Sequence, residues 1–149
     1  MEDFRVNAMG FLQTVQANLK LLKAAAALPE GGAPSVVGFS TVAVQTGMGF
    51  HASIAAAKGA VEGLVRTMSA EFAPDIRVNA IAPSLTDTPL AASLLSSDTK
   101  REASAARHPL KRIASAQDVA GTAAFLLSPA AAAITGQVLQ VDNGISAVR

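Results

Sequence analysis

With 149 residues, half of them hydrophobic, and a net charge of only +1, the chain is sized for one core and projects no long-range field toward nucleic acid or an anionic membrane. Zero cysteines exclude disulfides, iron–sulfur clusters and thiolate zinc, and His51 and His108 lie too far apart, without ligand spacing around them, for a metal site to be expected. Met9 to Leu28 is interrupted by Gln13, Gln16, Asn18, Lys20 and Lys23, so it fits neither a membrane span nor a signal peptide, and a cytoplasmic location is expected.

Phe4, Ala8, Phe11, Val15, Leu19, Leu22 and Ala26 recur at steps of three and four and predict an amphipathic helix over 4–28, ended by Pro29-Glu30-Gly31-Gly32. Ser35 to Ser40 is a short apolar run between turn formers, as expected of a parallel strand covered on both faces. A second helix is predicted over 50–72, with Ile54, Ala57, Val61, Leu64, Val65, Met68 and Phe72 on its apolar stripe and the pair Glu62 and Arg66 outside it. Pro74 closes that helix, and Arg77 to Ala82 follows as a strand, giving a right-handed parallel βαβ unit. The polar, alanine-rich stretch Ser97 to Arg107 reads as an exposed lid, and the basic group Lys100, Arg101, Arg107, Lys111 and Arg112, with His108, as a solvated surface beside it. Ser115-Ala116-Gln117-Asp118 has the form of a capping box for a helix that stops at Pro129, and Gln137 to Val141 makes a last strand before the turn Asp142-Asn143-Gly144. No repeat or linker divides the chain, so residues 1–149 are expected to form a single unit.

Five landmarks, Val6-Asn7, Phe39-Ser40-Thr41, Ala57-Lys58-Gly59-Ala60-Val61, Ile76 to Pro83 and Ile134-Thr135-Gly136-Gln137-Val138, stand in order and spacing that resembles the short-chain dehydrogenase/reductase family. The resemblance covers essentially the whole chain and implies an α/β fold: a partial Rossmann-type parallel sheet, the last three strands of the family sheet, flanked by helices. It also implies that the family's glycine-rich loop, which grips the cofactor diphosphate, lies in an N-terminal half that these residues do not include. The close glycines Gly31-Gly32 and Gly47-Met48-Gly49 read as turn punctuation instead. Met1 falls inside what resembles a middle helix of the family, so a natural fragment or a shifted start is expected.

By the same resemblance Lys58 holds a nicotinamide ribose, and the family's proton-donating tyrosine position, four residues earlier, is occupied by Ile54, which can neither give nor take a proton. Thr41 matches the hydroxyl that binds the substrate carbonyl, with Ser40 as its neighbouring alternative; a strand-end cap is the competing reading. Asn7 matches the amide that orders a water behind the lysine, against a plain packing role. Pro83, Ser84, Thr86 and Thr88 match the loop beside the nicotinamide, with Ser84 departing from the family's glycine. His51, seven residues before Lys58, is a substitute acid if both project from one face of a continuous helix.

The expected function is therefore that of a short-chain dehydrogenase/reductase-like oxidoreductase, NAD- or NADP-linked and acting on a small carbonyl or alcohol, but inactive or impaired as this chain alone. The competing class is a non-catalytic dimerising module or truncated pseudoenzyme, associating as a homo-oligomer through helices 4–28 and 50–72, where Leu12 and Leu21 add apolar surface beyond one stripe. A truncated product that does not fold stably alone is a third reading, because the strand at 35–40 would expose a parallel edge. No nucleic acid or membrane partner is expected.

Overall fold

The computed structural model describes residues 1–28 and 32–148. Helix α1 is one rod built from Glu2–Phe4, a π-helical turn Arg5–Met9 and Gly10–Ala26. Strand β1 (Ser35–Phe39) leads through a short helix α2 (Ala43–Thr46) to the long helix α3 (Ala52–Phe72) and then β2 (Arg77–Pro83). After β3 (Thr86–Asp87) come α4 (Asp98–Ala106), β4 (Ala114–Ser115), α5 (Ala116–Leu127) and β5 (Val138–Val141). The helix expected over 4–28 thus begins two residues earlier and ends two earlier, and its predicted terminator Pro29, Glu30 and Gly31 lies outside the described residues.

The main sheet is three-stranded in the order β1-β2-β5, and both pairings are parallel. β2 sits in the middle and is buried from Arg77 to Ala82, as a parallel strand covered on both faces must be. On one face α1 and α3 bring Val15, Val61, Val65 and Met68 onto Ile76, Val78 and Ala80; on the other, α5 brings Leu126 onto Ile81 and Ala131. Each such side chain contributes about 1.5–3 kcal/mol when fully buried, so the first face is the main core. Gly38 lets these layers close: a Cβ there would stand 3.1 Å from the Phe11 ring and 3.3 Å from Val61.

Two polar residues of β2 explain why a buried strand carries an arginine and an asparagine. The Arg77 guanidinium donates to Leu126 O at 2.8 Å and Ser128 O at 3.1 Å, satisfying carbonyls that the end of α5 leaves without partners. Asn79, fully buried, donates to Ile134 O at 2.9 Å and accepts from Gln137 N at 3.0 Å. Together they tie the loop 128–137 across the central strand. Thr135 Oγ1 accepts from Val78 N, and Gly136, at φ +72°, returns its own amide to Val78 O. A Cβ at Gly136 would lie 2.9 Å from Ser69 Oγ in a left-handed conformation, so Gly136→Ala should destabilise the chain by about 1–2 kcal/mol, read from a chemical melt.

Ser115 and Asp118 form the expected capping box, with Ser115 Oγ accepting from Asp118 N and Asp118 accepting from Ser115 N. Arg112 pairs with Asp118 at 2.8 Å and, with the Ser115 bonds, holds its carboxyl well below the usual carboxylate range. A depressed folded pKa means the contribution is complete above the unfolded value of about 4 and fades as pH falls through the folded one. Ser115→Ala should cost about 1 kcal/mol at neutral pH, and a pH series of melts should show this penalty shrinking only in strong acid.

The segment read as a lid contains α4, capped by Ser97 and buried only at Ser104. The parallel pair β3–β4, two residues each, and the one-turn α2 carry too few positions to show a period and were not expected. Two burial expectations are corrected. Glu62 is not outside the packed face of α3 but buried, because a hydroxyl from β1's end meets it, and His108 is not on a solvated surface but fully enclosed.

Candidate functional site

In an open parallel sheet the loops beyond the strands' carboxyl ends converge, and ligands collect there. Here β1 ends at Phe39 and β2 at Pro83, so Ser40-Thr41 and Ser84 to Thr88 leave the sheet side by side. Lys58 comes to the same end from α3. Its Nζ donates to Phe39 O at 2.9 Å, which answers how an ammonium is tolerated near an apolar stripe, and partial burial pulls its pKa below the ordinary lysine value.

Asn7 lies in the π-helical turn of α1, where its side-chain amide donates to Asp3 O at 2.8 Å and the Gly10 amide reaches back five residues to Arg5 O. Asn7 and Lys58 line one cavity of about 190 Å³ with Phe11, Val37 and Phe39. Ser40 and Thr41 differ in their surroundings. Ser40 is buried and donates to Glu62 Oε1 at 2.6 Å, with Arg66 3.8 Å from the other Glu62 oxygen. Thr41 instead lines a second cavity, and its Oγ1 accepts from Ala43 N at 3.3 Å, which leaves the hydroxyl proton for a ligand acceptor.

That second cavity, about 350 Å³, is walled by Thr41, His51, Ser84, Arg107 and His108 on its polar side and by Met48, Leu85, Leu94 and Ile145 on its apolar side. His51 does not share a helical face with Lys58 as the seven-residue spacing suggested. It is the N-cap of α3, at φ −110°, ψ 13°, its Nδ1 lies 2.7 Å from Gly49 O, and it faces the cavity that Lys58 does not line. Ile54 sits one turn before Lys58, half-buried and without a polar atom.

Pro83, Ser84, Thr86 and Thr88 line a third cavity of about 280 Å³ with Leu85 and Leu90. Thr86 Oγ1 donates to Ser84 O at 3.0 Å, so the loop is braced by its own side chains. The structure therefore brings Asn7 with Lys58, Thr41 with His51 and Ser84, and Ser84 with Thr86 and Thr88, as three adjoining groups. The sequence missed the pair Ser84 and His108: Ser84 Oγ lies 3.0 Å from His108 Nε2, while His108 Nδ1 lies 2.8 Å from Ser104 O. A serine where the family resemblance calls for glycine was the available signal.

For a dinucleotide the fit is one-sided. The Phe39 carbonyl, Lys58 and the loop 83–88 suit the ribose and amide of a nicotinamide, whereas among the described residues no glycine-rich turn joins a strand to a helix N-terminus that would hold a diphosphate.

The profile of the family described as enoyl-(acyl carrier protein) reductase matches residues 2–146. A tropinone reductase homolog of Arabidopsis thaliana is 40% identical over 120 residues, which are 80% of this chain and 46% of the relative, so the chain spans about half the length of that relative. A short-chain type dehydrogenase/reductase from Mycobacterium ulcerans superposes with a TM-score of 0.85 at 31% identity, over 96% of this chain and 50% of that one. A gluconate 5-dehydrogenase from Burkholderia cenocepacia, solved with NADP and tartrate, gives 0.84 at 29%, over 95% and 54%. Among the described residues no helix is long and apolar enough to cross a membrane.

Proposed function

The chain belongs to the short-chain dehydrogenase/reductase family, and we propose that it is the substrate-facing, C-terminal part of an NAD(P)-linked oxidoreductase domain for small carbonyls or alcohols, with proton transfer impaired. The observation that carries this reading is that Lys58 with Asn7 in one cavity, and Thr41 in another, stand at the carboxyl end of the sheet while Ile54 occupies the position where a proton donor is needed.

A bound nicotinamide would supply or accept hydride. Lys58, already half stripped of water, would bind its ribose hydroxyls, with Asn7 bordering the same space; Pro83, Ser84, Thr86 and Thr88 would border the carboxamide. Thr41 donates its hydroxyl proton to a substrate oxygen and holds it in place, but a neutral hydroxyl is too weak an acid to complete the transfer. His51, whose Nδ1 lies against Gly49 O, borders the same cavity as Thr41 and is the substitute donor.

The chain has no tryptophan or tyrosine, so NADPH or NADH fluorescence can be followed without background. Weak but saturable binding that Lys58→Ala abolishes supports this reading. No binding at millimolar cofactor would overturn it for the chain alone. The dimerising module is favoured by one observation, the exposure of Val6, Met9 and Leu21 along α1. Leu12, by contrast, packs on the core. A dimer in size-exclusion chromatography without cofactor binding would select that second reading, with α1 and α3 as the interface.

A further inference from the structure

We infer that the 350 Å³ cavity beside β2 binds a small hydroxy acid, its carboxylate at Arg107 and His51 and its hydroxyl at Ser84. The assignment takes the cavity as the substrate side of the oxidoreductase proposed above, but its argument stands on the lining alone.

The polarity of the inner wall follows from one carbonyl. Ser104 O can only accept, so the proton of a neutral His108 sits on Nδ1, 2.8 Å away, and Nε2 is left as an acceptor. Ser84 Oγ, 3.0 Å from that Nε2, must then give its own proton to it. What Ser84 turns to the cavity is a pair of acceptor lone pairs, which attract a ligand hydroxyl and repel a carboxylate. His108 is 1% exposed and cannot exchange its partners for water, so this orientation is built in.

The outer wall has the opposite character. Arg107 carries a permanent positive charge with five donors, and His51 lines the same cavity. Ser104 also touches this end, its Oγ lying 3.5 Å from an Arg107 nitrogen, so one residue orients both His108 and Arg107. Among the described residues no aspartate or glutamate lines the cavity. The buried carboxylate of Asp142 accepts from the Gly144 and Ser146 amides and the Ser146 hydroxyl. Between the two ends Met48, Leu85, Leu94 and Ile145 supply an apolar body. The volume is at the small end of ligand cavities, which favours a ligand of about ten non-hydrogen atoms over an extended one.

Three flexible probes separate the features: 6-hydroxyhexanoate, hexanoate without the hydroxyl, and 1,6-hexanediol without the charge. Binding to the whole chain is followed by NMR line broadening of the probe at low salt, without cofactor. The hydroxy acid should bind at least tenfold tighter than the diol and several-fold tighter than hexanoate. Arg107→Gln, at an exposed position that leaves the core intact, should bring it to the level of the diol, and Ser84→Ala to that of hexanoate. Equal binding of all three probes, or binding of none, overturns the assignment. The expected order without any NAD(P)-linked turnover would leave the cavity assignment standing and sink the redox reading.

Discussion

Ile54→Tyr is expected to raise NADPH-dependent carbonyl reduction by about 10²–10⁴-fold, the usual contribution of a positioned general acid. Position 54 lies one helical turn before Lys58, and Lys58 is fixed by the Phe39 carbonyl and partly removed from water. A phenol at that spacing would feel the charge of a partly desolvated ammonium, which lowers its pKa. The measurement is kcat/KM at saturating cofactor for the chain and its variant. Adding His51→Gln separates the two proton sources: it should reduce the activity of the parent and leave the Ile54→Tyr variant nearly unaffected. If Ile54→Tyr changes nothing although cofactor still binds, the defect lies in hydride geometry and not in the missing acid.

Asn79→Ala should be the most damaging substitution outside the hydrophobic core. It removes the fully buried amide that bonds Ile134 O, leaving that oxygen only a 3.4 Å contact from Arg77, and it removes the acceptor of Gln137 N. Losing hydrogen bonds made by a buried amide costs about 1–3 kcal/mol, so a loss of about 2 kcal/mol is expected, equivalent to about 4–8 °C in Tm for a chain of this size. Asn79→Asp is the informative companion. It keeps the acceptor for Gln137 N but faces Ile134 O with an oxygen, and should be at least as harmful despite being nearly isosteric. A melt within 2 °C of the parent, an effect below about 1 kcal/mol, would show that the loop 128–137 is held by packing alone.

The strands and long helices were legible because burial on both faces of β1 and β2, and the recurrence along α3, leave a period in the residue types. Glu62 was misplaced because what buries it is Ser40, twenty-two residues away and across a layer; helical spacing carries no trace of a partner on another element. His108 was misplaced for a related reason. Neighbouring Arg107, Lys111 and Arg112 give the segment a surface composition, while Ser84 and Ser104, which enclose the ring, belong to other turns of the chain. The roles of Lys58, Asn7 and Thr41 came from a resemblance. Their distribution over two cavities was not legible in the sequence, because α1, α3 and the β1 loop each contribute one of them.

The carbonyls closing α5 end on a guanidinium rooted in the middle of the sheet. Fraying at that terminus is thereby coupled to the central strand, since neither can open without exposing the other's charge-assisted bonds. Amide deuterium uptake should reflect this: Ser128 N–H, whose position beside a proline at a helix end would normally mark it for rapid exchange, should be protected nearly as long as the amides of β2.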